Sequence, residues 1–351
     1  MYKTWGMSFL LMVQSCFLIG EIRELPLDVC VKKMEKNAKK AIEEHRKKDK
    51  DAYISFEDLD LDNKIDGILS FECFASEEQG IRLTMEDAHF FQNMEEGIFL
   101  GVLDGHGGKE VAEYASTFLQ KNFQEILNQT KKNVHRTFEI LIEELHEHVA
   151  KKGEWNAIGT TAVLCFIDKC THQIYTATVG DSEANLYRKI NSNLQSIPLS
   201  CIRDWSYPKE AKRAALFLNN PEIAINWPKV TNPKVLRYPK KYYGINLSRS
   251  IGDVIFTGAV IHKPKITVQQ VRGGDILILA CDGLKDYVLE REIISQIEKQ
   301  PGYELADQLA QYAVRVKKSQ DNVTVLVLYL NEIATQSSDF SHGVKERLSL
   351  Y

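Results

Sequence analysis

Apolar residues along this chain fall into two patterns. Short, nearly unbroken runs at 98–103, 160–168, 174–179, 275–280 and 323–330 have the length of buried strands, and 68–74, 88–91 and 185–188 extend the set. Elsewhere the apolar positions recur every three or four residues. Val111, Ala115, Phe118 and Leu119 share one helical face, and Val134, Phe138, Leu141, Leu145 and Val149 share another, so two long helices follow one another. Further helices are expected near 290–299 and 303–318, and the stretch from 189 to about 243 reads as loop-rich. Strands next to strands and helices in pairs predict an α+β protein in which two sheets pack face to face with helix layers outside, rather than a doubly wound parallel sheet.

The first 66 residues have a different pattern. Residues 7–19 are mostly apolar behind Lys3, as in a secretory signal, but Glu21 and Arg23 come next without a small-residue cleavage site. The run is shorter than the roughly 20 residues a membrane span needs. Packing on the body and a targeting or anchoring role both stay open. Val31, Met34, Ala38, Ala41, Ile42 and His45 then describe an amphipathic helix with a lysine-rich face, either solvated or set against anionic lipid. Asp58, Asp60, Asp62 and Asp66 suggest a calcium loop, but the register fails. A loop starting at Asp62 puts Lys64 third and Cys73 twelfth, and one starting at Asp58 puts Asn63 sixth, where glycine belongs, and Leu69 twelfth. The expected organisation is an N-terminal add-on over 1–66, a main domain over 67–330 and a polar tail over 331–351.

Composition narrows the class. A formal net charge of -4 gives no general attraction to nucleic acid. Seven cysteines form no C-x-x-C pair, and Cys165 and Cys281 sit inside apolar runs as small buried hydrophobes. A reduced, cytoplasmic, monomeric protein is the expectation, with membrane contact reserved for residues 7–19.

The acidic residues carry the chemistry. Asp104, Asp181 and Asp282 each stand at the C-terminal end of an apolar run, whereas Asp321, with Asn322, begins one. If the last strand is antiparallel to the one ending before Asp282, all four carboxylates gather at one edge, joined by Glu86 and Asp87. Carboxylates so crowded need cations. Oxygen ligands without Cys or clustered His select hard ions, Mg²⁺ or Mn²⁺, and a pair of them about 3.5–4 Å apart suits in-line phosphoryl hydrolysis. His106, between Gly105 and Gly107, can carry a proton near neutral pH.

Taken in order, the motifs resemble the metal-dependent serine/threonine protein phosphatases of type 2C. They are Arg82-Leu-Thr-Met-Glu-Asp-Ala-His89, Asp104-Gly-His-Gly-Gly108, Gly159-Thr-Thr-Ala162, Gly180-Asp-Ser182, Ser248-Arg-Ser-Ile-Gly-Asp253, Asp282-Gly283 and Asp321-Asn322. The resemblance implies a four-layer αββα sandwich and phosphorylated serine or threonine proteins as substrates. It also implies a dinuclear centre in which Asp104 bridges, Glu86 and the Gly105 carbonyl complete one site, Asp282 and Asp321 the other, and Asp87 holds a metal-bound water. Asp181 and Asp286, with Asp282, match a weaker third site. In the same reading a water shared by two ions attacks phosphorus, Arg82 binds the phosphate, and His106 protonates the leaving alkoxide.

Two departures stand out. Glu183 occupies a position where the family often has Arg, and the usual L-S-x-D-H-x-P segment is loosened to Leu199-Ser-Cys-Ile-Arg-Asp204-Trp-Ser-Tyr-Pro208, though Glu210 and Arg213 keep part of the family's pattern just beyond it. Five of the nine prolines lie between Pro208 and Pro239, matching the flap beside the family's cleft. The competing expectation is a phosphatase-like fold that serves as a binding or regulatory module. Degenerate members would lose carboxylates matching Asp104, Asp282 or Asp321, and all three are present. A nuclease is disfavoured because no basic stripe with interleaved aromatics occurs.

Overall fold

The computed structural model describes residues 69–205, 207–217, 236–237, 244–299 and 302–332. The apolar, basic and acidic segments of 1–66, most of 208–239 and the tail beyond 332 lie outside these residues.

Two five-stranded antiparallel sheets form the centre. One contains β1 (Leu69–Glu78), β15 (Val323–Glu332), β14 (Ile276–Ala280), β8 (Glu183–Ile190) and β9 (Asn193–Pro198), in that order across the sheet. The other contains β13 (Lys265–Gln270), β7 (Gln173–Val179), β6 (Ala162–Asp168), β3 (Gly97–Leu103) and β2 (Ala88–Asn93). A small third sheet joins β12 (Ile251–Gly252), β5 (Gly159–Thr160) and β4 (Gly105–His106), and β10 (Leu236–Arg237) pairs with β11 (Gly244–Ile245).

Strand alternation explains why the runs are apolar throughout. Ile98, Leu100 and Val102 of β3 cluster with Val163, Cys165, Leu277, Leu279, Leu326 and Leu328 between the sheets, while Phe99 and Leu103 face the other way. There they meet α1 (Glu110–Gln129) and α2 (Val134–Ala150), the two helices read from the sequence, with the Phe99 and Phe123 rings stacked at 4.0 Å. Asn133 caps α2 by accepting a hydrogen bond from the Arg136 amide at 3.0 Å. On the opposite outer face, Ile276, Ile278, Val325 and Val327 pack against α5 (Glu290–Lys299) and α6 (Leu305–Gln311) through Ile293, Ile297, Leu305 and Leu309. Both faces of each sheet are covered, which gives the four expected layers.

The differences from the sequence reading have physical reasons. β9 and β13 are edge strands with several polar residues, so neither shows a clean apolar run. Part of the expected loop-rich stretch is α3 (Pro208–Phe217), where Pro208 opens the helix and Glu210 lies in its first turn. A separate helical turn, α4 (Asp282–Lys285), comes directly after β14. The helix expected over 303–318 changes to a π turn at Tyr312–Val316, and β15 continues two residues past 330.

Away from the acidic edge, Arg188 on β8 clamps the two sheets together. Its Nε and Nη2 donate to the two Asp275 carboxylate oxygens at 2.8 and 2.6 Å, and Nη2 also donates to the Gln270 carbonyl at the end of β13. Both side chains are at most 5% exposed. Truncating one partner strands the other charge in the interior, so Asp275→Ala is expected to cost about 3–5 kcal/mol in a denaturant titration. The same variant is expected to retain turnover at temperatures where it is folded.

Candidate metal centre

The antiparallel register delivers the acidic residues to one edge. Ala280, at the end of β14, pairs with Val325 of β15 and with Glu183 of β8, so Asp282, Asp321 and Asp181 meet there. Asp104 stands just after β3 and is framed by Thr161: the Thr161 amide donates to the Asp104 carbonyl at 2.9 Å, and the Asp104 amide donates to Thr161 Oγ1 at 3.1 Å. Thr161 Oγ1 also lies 2.7 Å from Ser182 Oγ, which ties the turn carrying Asp181 to the same point.

Carboxylate oxygens of Asp104, Asp181 and Asp282 lie within 4.8 Å of one another, and ligand atoms of Asp87, Asp104 and Cys281 form a second such group. Glu86, Asp286 and Asp321 fall outside both groups; the last two act on them, and Glu86 acts on His106. Asp321 repels Asp87, Asp104 and Asp282, and Asp286 repels Asp181 and Asp282. Gly105 comes right after Asp104 at a point where a Cβ would come within 2.1 Å of the Glu86 carbonyl, so only glycine lets the two acid-bearing segments approach.

Burial and mutual repulsion raise these acids. Asp87 is pushed up to about 6, mainly by burial and against the hydrogen bond from Thr324 Oγ1 at 2.7 Å. Burial and then Asp286 push Asp181 up to about 7, burial and then Asp181 push Asp282 up to about 8, and burial with Asp87 and Asp282 raises Asp104 well above its ordinary value. His106 is raised as well: burial pulls its ring down, but the neighbouring Asp253 more than offsets that.

Arg82 is seated on the cluster. Its Nη2 donates to Asp321 Oδ2 at 2.6 Å and its Nε to the Gln320 carbonyl at 3.2 Å, while the side chain remains 54% exposed. Glu183 accepts from Lys285 Nζ at 3.2 Å, and Lys285 also reaches Glu290 at 3.2 Å.

Several contributors are not legible in the sequence as site residues. Asn322 donates to the Gln79 and Thr84 carbonyls at 2.9 and 3.0 Å and accepts from the Glu86 amide at 3.0 Å, latching the loop that carries Arg82 and Glu86. Its place beside Asp321 is the one available signal. Cys281 reads in the sequence only as a buried hydrophobe. Its thiol donates to the Asn322 carbonyl, accepts from the Thr324 amide and sits beside Asp87 and Asp104. Burial raises that thiol well above its ordinary value, so it is no nucleophile.

Comparison with known proteins agrees with the geometry. The family described as Protein phosphatase 2C matches residues 71–323. Protein phosphatase 2C homolog 1 of Saccharomyces cerevisiae is 29% identical over 274 residues, covering 71% of this chain and 89% of the relative. Protein phosphatase 2C 1 of Paramecium tetraurelia is 25% identical over 300 residues, covering 73% and 91%. The crystal structure of serine-threonine phosphatase 2C from Toxoplasma gondii shares the fold with a TM-score of 0.62 at 16% identity, covering 74% of this chain and 95% of that one.

Two outcomes are expected. Without metal, each raised carboxyl favours the folded state most fully below its unfolded pKa near 3.8, and that contribution is lost as pH climbs through about 6, 7 and 8. The melting temperature of EDTA-treated protein should therefore fall across that pH window, and added Mg²⁺ or Mn²⁺ should raise it more at the alkaline end. Asn322→Ala, by unlatching the Arg82 loop, should lower kcat/KM by roughly tenfold or more while far-UV circular dichroism stays native.

Proposed function

Because this chain belongs to the protein phosphatase 2C family of serine/threonine phosphatases, we propose that it hydrolyses phosphoserine and phosphothreonine in proteins with Mg²⁺ or Mn²⁺ held by its acidic edge. The observation that carries this reading is the convergence of Asp104, Asp181 and Asp282 within 4.8 Å. The donors fit hard divalent ions, since they are carboxylates whose raised pKa values mark a place where positive charge is most needed. Asp104, Glu86, the Gly105 carbonyl, Asp282 and Asp321 would hold two ions, Asp87 would order water beside them, and Asp181 with Asp286 and Asp282 would supply a third position.

Bound ions supply the charge that acidifies water and neutralises phosphate oxygens. The chain's own residues do the rest. Arg82, half-exposed beside Asp321, presents its guanidinium to the phosphate oxygens. Thr324 fixes the Asp87 carboxylate through its hydroxyl, so the acid keeps one orientation toward water. His106 gives a proton to the departing serine or threonine oxygen, a poor leaving group as an alkoxide. The buried, hydrogen-bonded Cys281 stays outside the bond-making.

The direct test is hydrolysis of a phosphoserine or phosphothreonine peptide. EDTA should abolish turnover and Mn²⁺ or Mg²⁺ restore it. Asp104→Asn, which removes one charge at nearly constant volume, should reduce turnover at limiting Mn²⁺ by at least about 100-fold with the fold intact. Full activity in EDTA would sink the proposal.

A further inference from the structure

We propose that Asp253 is the positioning residue for His106, holding ring nitrogen Nε2 so that Nδ1 is the nitrogen turned to the leaving oxygen; this rests on His106 being the proton donor.

Asp253 lies 149 positions after Asp104 in the chain, yet its Oδ2 is 2.6 Å from His106 Nε2. The carboxylate is 2% exposed and also accepts from Ser250 Oγ at 2.5 Å. An ionised carboxylate has only acceptors to offer, so Nε2 carries the hydrogen in this pair. In the neutral ring that leaves Nδ1 as the acceptor, and in the imidazolium it leaves Nδ1–H as the available donor. The His106 side chain is 29% exposed, so the ring is anchored at one nitrogen and reachable from solvent.

The surrounding backbone is arranged for this contact. In the three-stranded sheet, Gly159 pairs with His106 on one side and with Gly252 on the other. A Cβ on Gly159 would lie 2.2 Å from Asp253 Oδ2 and 2.6 Å from His106 Nε2, so the hydrogen bond passes over a position that must be glycine. Asp253 itself adopts a left-handed conformation, with φ 50° and ψ 41°, which Asp tolerates better than most residues. Its amide donates to the Ile158 carbonyl at 3.0 Å. The segment is tied down further by Arg249, whose guanidinium pairs with buried Glu210 on α3. The acid is thus held by its own backbone and by neighbouring side chains at the point where it meets the histidine.

The test compares His106→Gln, Asp253→Asn, Ser250→Ala and the double variant Asp253→Asn/His106→Gln at saturating Mn²⁺. Turnover is measured on a phosphoserine peptide and on p-nitrophenyl phosphate, whose leaving group needs little protonation. Asp253→Asn should lose at least about tenfold more on the peptide than on the aryl ester, as His106→Gln does, within the 10²–10⁴ range of general acid catalysis. The double variant should be no worse than His106→Gln alone. Ser250→Ala should show a smaller loss of the same kind. Long-range ¹H–¹⁵N spectra, with the signal assigned by its absence in His106→Gln, should show the Nε2–H tautomer in the wild-type protein.

Equal losses on both substrates for Asp253→Asn, or no loss, while His106→Gln keeps its leaving-group dependence, would overturn the positioning role and leave the phosphatase reading standing. A His106→Gln variant that treats both substrates alike would remove the proton-donor role and this inference with it, but not the metal dependence. If Asp253→Asn fails to fold, Ser250→Ala and the wild-type tautomer decide, and an Nδ1–H tautomer overturns the inference.

Discussion

Crowding of carboxylates at one end of the sandwich is the constraint on which the rest of the structure turns. Asp104, Asp181 and Asp282 occupy a half-buried space in which ionised acids repel strongly and are only partly solvated. A fold can tolerate this only where the elements that carry the acids are held by something else. Here that support is three layers of apolar packing, with the inter-sheet core flanked by helix-covered faces on both sides. The edge can therefore be electrostatically strained without loosening the strands that present it.

Close approach of backbones is the second requirement. The acids come from separate loops, and each loop is fixed by a small number of polar contacts. Thr161 ties Asp104 to the Asp181 turn, and Asn322 latches the Arg82–Glu86 loop to the start of β15. Gly105 removes the one Cβ that would keep Glu86 away. His106 is served in the same way by Asp253 and Ser250 from a distant part of the chain. The acids, Arg82 and His106 are thus held by hydrogen bonds that cross between loops, on a scaffold built by apolar packing.

Much of this is legible in the sequence because the relevant signals are local. A strand buried on both faces must be apolar at every position, so the runs ending before Asp104 and Asp282 announce both the strands and the acids at their mouths. The placement of Asp321 beside Asp282 follows if the last strand runs antiparallel to the one before Asp282, and β14 and β15 do pair in that sense. What stays hidden depends on partners far away in sequence. β9 and β13 lie at sheet edges with few apolar residues, and α3 sits in a proline-rich neighbourhood. Cys281 looks like any core thiol until folding sets it beside Asp87 and Asp104, and nothing near Asp253 says that His106 lies across Gly159 from it.

Calorimetric titration of metal-free protein with Mn²⁺ tests the central claim most directly, because it reads the acidic edge without depending on any substrate. The account predicts at least two ions bound per chain, with protons released on binding at neutral pH because the ions displace them from the raised carboxyls, and loss of the high-affinity heat in Asp104→Asn. Binding that survives unchanged in Asp104→Asn, or wild-type protein that takes up no Mn²⁺, would contradict it.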